Sequence, residues 1–238
     1  MPDGLGSAFD SPDTKSRYVK RLFSTIADRY DLITVLLSYG QDRRWKRRLV
    51  SMARLEPGVR ALDLACGTGD ITYALREARA DSVGLDITAR MVEIARGKCS
   101  SGSPPPFLVG DMMALPFGDA TFDLVTTGYG IRNVPMIDQA FAEIGRVLRP
   151  GGMLLSLDFD RPSNPAVRGV YLAYLTLVGS TLGLALHGDP DTYRYIPESI
   201  RRYPGGEAVC AIAREQGFAA CERVPVLGGL MAIHRAFR

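Results

Sequence analysis

Apolar residues recur along this chain in two alternating rhythms. Val19, Leu22, Phe23, Ile26 and Tyr30 fall at i, i+3, i+4, i+7 and i+11, the stripe of one amphipathic helix over residues 15–30 that Tyr30 closes. A second helix is predicted over 42–55. Trp45, Leu49 and Met52 share one side of it, and Arg43, Arg44, Lys46, Arg47 and Arg48 crowd the rest. Residues 59–62 form an apolar run of strand length, and Ile71, Ala74, Leu75 and Ala78 return to helical spacing. Residues 82–86 read as a second strand, and Met91, Ile94 and Ala95 as the inward face of a helix that Thr88 caps. A loop over 101–106 leads to a third strand at 107–109, and 121–127 reads as the fourth. Ile137, Phe141, Ile144 and Leu148 then face inward from a helix. After a turn at Arg149-Pro150-Gly151-Gly152, residues 153–159 form the fifth strand.

Strand and helix in repeated alternation imply a parallel sheet with right-handed crossovers, whose ligands sit at the C-terminal strand ends. A helix over 207–216, stopped by Gly217, precedes runs at 224–227 and 231–237 that read as a closing hairpin about Gly228-Gly229. The expected fold is α/β and Rossmann-like: a seven-stranded, mostly parallel sheet with helices on both faces and an antiparallel C-terminal hairpin. N-terminal helices form a cap over 15–55. His234 lies inside the last strand and reads as a structural histidine.

Residues 169–188 contain no charged side chain apart from His187 near their end. Their length alone would permit a membrane span. A span there would strand the hairpin on the opposite side of the bilayer from its sheet. An apolar helical lid over 163–200, covering a hydrophobic substrate and dipping into a membrane surface, is the preferred reading, with a plain core helix as the alternative.

The chain has 238 residues, enough for one large domain with a full core. The net charge of +3 gives no argument for a nucleic-acid partner. The four cysteines, at 66, 99, 210 and 221, form no C-x-x-C pair and read as reduced thiols in a cytoplasm. Residues 1–14 lack an apolar signal core and read as a disordered tail. No metal-ligand spacing is present in the pattern.

The chemistry gathers at Asp63-Leu64-Ala65-Cys66-Gly67-Thr68-Gly69-Asp70, where the first strand turns into a helix. Gly67 and Gly69 permit a sharp turn and close approach to a ligand. Asp86 follows Gly67 by 19 positions, the spacing at which a carboxylate accepts hydrogen bonds from both ribose hydroxyls. Thr72 stands where a dinucleotide fingerprint needs its third glycine, and no triphosphate loop is present. Asp63, Asp86, Asp111 and Thr127 all end strands, so one crevice is expected to hold them.

This turn, with its downstream acid, resembles motif I of the class I S-adenosylmethionine-dependent methyltransferases. Three further stretches narrow the resemblance to the menaquinone/ubiquinone biosynthesis C-methyltransferases. They are Tyr30-Asp31-Leu32 with Leu37-Ser38-Tyr39-Gly40 and Arg44-Trp45-Lys46; Gly130-Ile131-Arg132-Asn133-Val134; and Tyr193-Arg194-Tyr195 with Glu198-Ser199-Ile200, Gly217-Phe218 and His234-Arg235. The resemblance implies methylation of a ring carbon in a reduced, polyprenylated quinol, with demethylmenaquinol the representative substrate. It implies S-adenosyl-L-methionine held by Asp63, Gly67, Thr68, Gly69, Asp86, Ile87, Asp111, Met112 and Thr127, and Tyr30, Arg132 and Asn133 facing the quinol. Gly128 replaces a serine common in the family, which removes one hydroxyl from the cofactor site. The protein is then expected in the cytoplasm, with peripheral contact at the inner face of the membrane, and a homodimer stays open.

A phenolic hydroxyl ionises near a pKa of about 10, so the ring needs an oxyanion stabiliser before its carbon becomes nucleophilic. Arg132 and the Asn133 amide suit that task, with Tyr30 orienting the hydroxyl. A structural ion pair between Arg132 and an aspartate of the crevice is the competing role. Other readings are a methyltransferase of the same fold acting on another small hydrophobic phenol or amine, and a membrane-docking scaffold without turnover.

Overall fold

In the computed structural model, which describes residues 5–99 and 102–238, the alternating rhythms resolve into one mixed sheet. Its strands are β1 (Arg60–Leu64), β2 (Asp81–Asp86), β3 (Phe107–Val109), β4 (Phe122–Gly128), β5 (Leu148–Phe159), β6 (Ala220–Val226) and β7 (Met231–Phe237). Among the described residues the seven strands run in the order β3-β2-β1-β4-β5-β7-β6. β1 to β5 are parallel, and β7 is antiparallel to both of its neighbours. The strand order reverses between β1 and β4, where neighbouring crossovers depart to opposite faces and open a crevice at the C-terminal edge.

The pleat of β1 divides the core. Ala61 packs with Leu49 of α3 (Asp42–Ser51) and with Ile71 and Leu75 of α4 (Asp70–Glu77). Leu62 and Leu64 belong to the other face, with Phe141 and Ile144 of α6 (Ile137–Val147) and Val209 and Ala213 of α9 (Gly206–Glu215). Successive residues of a strand point to opposite faces, so a buried parallel strand reads as unbroken apolar sequence.

Several expectations are corrected. The disordered tail does not extend through residue 14. Residues 5–10 form turns that bury Ala8 and stack Phe9 on Tyr195 at 5.7 Å, and α1 (Pro12–Ile26) begins at a capping box between Ser11 and Thr14. Residues 1–4 lie outside the described residues. Tyr30 opens α2 (Tyr30–Leu37) instead of ending the first helix. The 3-10 turn at Ala27–Arg29 bends the chain so that Ile26 and Ile33 share a cluster with Tyr193. The Arg149–Gly152 turn is an irregularity within β5, whose pairing jumps from Phe122↔Leu148 to Leu124↔Met153. Thr88 occupies the N-cap of α5 (Ala89–Gly97) without a side-chain cap bond, and its main-chain N–H donates to Asp86 Oδ1 at 2.8 Å. The loop expected over 101–106 falls partly outside the described residues.

Cys210 of α9 and Cys221 of β6 are joined as a disulfide, so the expectation of four reduced thiols is also corrected. α9 packs directly on β6, which sets their Cα atoms 5.2 Å apart, and the linear spacing alone carries no sign of that approach.

The apolar stretch forms α7 (Pro165–His187), capped by the Asn164 side chain and long and apolar enough to cross a membrane. One side of it is committed to this chain: a Cβ on Gly183 would lie 2.5 Å from the Asp189 carbonyl, and one on Gly179 would lie 3.2 Å from that of Tyr193. The polar-aromatic stretch that follows is helical from Tyr195, as α8 (Tyr195–Arg202).

Candidate cofactor and substrate site

The turn after β1 adopts left-handed backbone three times, at Ala65 (φ 49°), Gly67 (φ 52°) and Gly69 (φ 90°). A Cβ on Gly69 would also press on Phe107 at 2.9 Å, so strand β3 sits close because that residue has none. Tyr129, at the end of β4, is left-handed as well (φ 62°). For residues with a Cβ this conformation costs about 1–2 kcal/mol each, and both Ala65 and Tyr129 border the crevice.

Two cavities open there. The first runs along the glycine turn and is lined by Gly67, Asp86, Ile87, Asp111 and Met112, together with Ala65 and Gly110. The Asp86 carboxylate accepts Gly67 N–H at Oδ2 and Thr88 N–H at Oδ1, both at 2.8 Å, which fixes its direction and leaves each oxygen a further lone pair. Burial raises its pKa. The second cavity, about 480 Å³, lies between α2, α7 and α8, with walls that include Ile33, Leu37, Trp45, Phe159, Tyr171 and Leu175. Phe23, Tyr30, Tyr129 and Asn133 line both cavities and form the junction between them.

At that junction burial pushes the Tyr30 hydroxyl up to about 12, so at neutral pH it keeps the proton that a donor needs. Asn133 gives its amide N–H to the Tyr129 carbonyl at 2.7 Å, while its buried Oδ1 has no partner among the described residues. Arg132 lines the apolar cavity, and its guanidinium is engaged: Nε pairs with Asp158 Oδ1 at 3.2 Å, Nη1 donates to Ser199 Oγ, and the group stacks over Phe159 at 5.0 Å. The competing ion-pair role is therefore real, and it holds Arg132 in the cavity wall.

The remaining expected cofactor residues are not all in the crevice. Asp63 is fully buried behind it and accepts from Thr72 Oγ1 at 2.7 Å and Thr126 Oγ1 at 2.9 Å. Burial, only partly offset by those hydroxyls, raises Asp63 to about 7. Thr127 is also fully buried, under Gly130. Asp63 braces the turn through Thr72 and Thr126, and neither Asp63 nor Thr127 lines the two cavities. Gly69 likewise shapes the turn without lining either cavity. Thr68 lies in a small adjoining pocket shared with Tyr30, Lys46, Gly67 and Asp70; its hydroxyl donates to Asp31 Oδ1 at 2.6 Å and accepts from Lys98 Nζ at 2.8 Å.

Sequence reasoning misplaced Lys46 and passed over Tyr129. Lys46 is not part of the solvated cationic face of α3: it is buried and pairs with Asp42 at 2.7 Å and Asp70 at 2.9 Å. Burial opposes its charge, yet Tyr30, Asp42 and Asp70 together hold its pKa above the ordinary lysine value. His234 is buried in the sheet with its pKa lowered by burial and lines neither cavity.

The ubiE/COQ5 methyltransferase family matches residues 11–238. A demethylmenaquinone methyltransferase of Thermus thermophilus is 42% identical over 216 residues, 90% of this chain and 98% of its own. A ubiquinone/menaquinone biosynthesis C-methyltransferase of Dinoroseobacter shibae is 37% identical over 231 residues, 95% of this chain and 92% of its own. Among solved structures, a magnesium protoporphyrin IX methyltransferase of Synechocystis with bound S-adenosylhomocysteine superposes with a TM-score of 0.64 at 20% identity, covering 94% of this chain and 99% of that one. A Thermotoga maritima methyltransferase described as a possible histamine N-methyltransferase gives 0.65 at 18% identity, over 92% and 99%. Those two share the fold. The sequence match runs from α1 to the last strand and takes in both cavities, and the chain belongs to the ubiE/COQ5 methyltransferase family.

Proposed function

We propose that this methyltransferase transfers a methyl group from S-adenosyl-L-methionine to a ring carbon of a reduced, prenylated quinol, with demethylmenaquinol as the representative substrate. The observation that carries the reading is the junction: a polar, glycine-built cleft and an apolar cavity of about 480 Å³ meet at Tyr30, Tyr129 and Asn133. A charged nucleoside and a hydrophobic ring need such different surroundings, and transfer needs them within about 3–3.5 Å at the reacting atoms.

The residues fit the donor. Asp86 has lone pairs to spare for ribose hydroxyls, Asp111 and Met112 flank the position of a base, and Gly67 keeps the wall thin. Bound there, S-adenosylmethionine supplies an electrophilic sulfonium methyl. This chain supplies alignment and charge. The orphan Asn133 Oδ1 accepts a ring hydroxyl, Tyr30 donates to a ring oxygen, and Arg132, anchored by Asp158, offers a cation to the oxyanion.

A prenyl tail also demands an apolar exit. Leu32, Val35, Leu36 and Tyr39 near α2, and Val170, Leu177 and Leu184 on α7, are exposed beside the helices that wall the apolar cavity. They support α7 as a lid resting on a membrane surface, where the substrate dissolves. The test of the reaction is methyl transfer from labelled S-adenosylmethionine to short-chain demethylmenaquinol or demethylated benzoquinol, kept reduced, with products read by mass spectrometry. Methylated ring product is expected; donor binding without transfer to either quinol would remove the assignment.

A further inference from the structure

Tyr129 is placed where the chemistry happens and has a partner that the family assignment leaves unexplained. It lines the glycine-turn cleft, the apolar cavity and the small pocket of Lys46 and Asp70. Its strained backbone is pinned by its own N–H to the Leu157 carbonyl at 2.7 Å and by Asn133 Nδ2 on its carbonyl at 2.7 Å. Its hydroxyl donates to Asp42 Oδ1 at 2.8 Å. A phenol that donates in this way keeps its oxygen free as an acceptor. Asp42 is buried, and its other oxygen pairs with Lys46.

From there charges alternate outward. Lys46 meets Asp70 at 2.9 Å, Asp70 meets Lys98 at 3.1 Å, and Lys98 meets the half-exposed Asp31 at 2.7 Å. Burial would raise the Asp70 carboxyl, but the two lysines hold it below the usual range. The groups facing Tyr129 are Asp42 from α3, Tyr30 from α2 and Asp158 from β5, with Lys46 behind Asp42.

Resting on the quinol reading above, the geometry points to Tyr129 as a further catalytic residue that, with Asp42 behind it, takes the proton from the substrate's ring hydroxyl. The ring O–H bond breaks and its electron pair stays on the ring oxygen. The proton forms a new bond to Tyr129 Oη as Tyr129's own proton passes to Asp42 Oδ1. Tyr129 ends neutral, Asp42 becomes a neutral acid, and the negative charge now sits on the ring that must attack. The two transfers are concerted, because burial and Asp42 make a free tyrosinate costly. Lys46 pairs with Asp42, and Asp70 balances Lys46 while Asp42 carries the proton. Aromaticity returns when the methylated carbon gives up its own proton to water, and the ring oxygen then takes back the proton held on Asp42 through Tyr129, which restores the Asp42 carboxylate; each turnover so releases one proton to solvent.

Tyr129→Phe keeps the ring and removes the relay; Asp42→Asn keeps the shape and removes the acceptor. Turnover is measured with the reduced short-chain demethylated quinol from about pH 6 to about pH 9, beside donor affinity by calorimetry and a melting curve for each variant. Both variants are expected to lose about a hundredfold in kcat near neutrality, with KM and donor affinity changed less than about twofold. The loss should shrink as pH climbs toward the phenol's own pKa of about 10, where solvent base replaces the relay. A purely structural role would give a loss independent of pH, and that result, or a loss below about threefold with intact melting, overturns the relay. Wild-type protein that binds the donor and methylates neither quinol sinks the parent reading and the relay with it, whereas an active wild type matched by Tyr129→Phe sinks the relay alone.

Discussion

Asp158→Ala tests whether the buried pair that anchors Arg132 is as tightly coupled as its geometry requires. Asp158 is fully buried, and the Arg132 side chain is 4% exposed. The carboxylate accepts three bonds: Arg132 N–H at 3.0 Å, Arg132 Nε at 3.2 Å and Phe159 N–H at 2.8 Å. Alanine would leave a guanidinium and two main-chain N–H groups without that acceptor, in a place water reaches poorly. Breaking such a pair costs about 3–5 kcal/mol, from about a fifth to all of the 5–15 kcal/mol or so that holds a typical domain together. Urea unfolding, followed by the fluorescence of Trp45, should show the midpoint falling by about 1–2 M. Removing both charges with Arg132→Met and Asp158→Leu should recover most of the stability, because the uncompensated cation has gone. The recovered double variant should still lack turnover. A loss under about 1 kcal/mol in Asp158→Ala, or a double variant no more stable than the single, would refute the coupling.

Asp86→Ala should weaken S-adenosylmethionine binding by about 10- to 100-fold, the worth of one charged hydrogen-bond acceptor, with little change in kcat at saturating donor. Unchanged affinity by calorimetry would remove the ribose assignment. Asp63→Asn should change the pH dependence of stability. The folded state holds the Asp63 proton up to about pH 7, against about 4 in the unfolded chain, so this carboxyl's contribution to stability falls as pH rises between those values. The wild type should therefore lose stability relative to Asp63→Asn across that window and run parallel to it above, as melting temperatures in buffers from about pH 5 to about pH 8 would show. Buried His234 drives wild type and variant alike in the opposite sense and drops out of the difference. Val170→Glu with Leu177→Glu should abolish flotation with anionic lipid vesicles while leaving methyl transfer to a short-chain quinol intact; unchanged flotation would remove α7 from the membrane contact.

The fold class was legible because its signals are local. Val59 to Leu62, the glycine turn and Ile71 to Ala78 each announce an element within one or two turns of chain, and parallel pairing follows from their alternation. Asp86, Asp111 and Met112 were readable as crevice residues because the C-terminal ends of parallel strands meet along one edge. Where a local signal had two meanings the reading failed. Lys46 belongs by sequence to a row of cations on α3, and only the approach of α4, bringing Asp70, makes it a buried partner. Asp63 is expected by sequence to end its strand as Asp86 does, but β1 runs on to Leu64 and the Asp63 side chain meets Thr72 and Thr126 inside the core.

The order of residues by itself therefore determined the sheet, the glycine turn and the family, all of which rest on neighbours in the chain. Contacts between distant segments decided the rest. Cys210 and Cys221 are brought together by helix-on-strand packing, Arg132 is held by Asp158, and Tyr129 meets Asp42 from 87 positions away. A side chain's chemistry is set by what surrounds it in three dimensions, and burial, pairing and access to a cavity have no fixed period along a sequence.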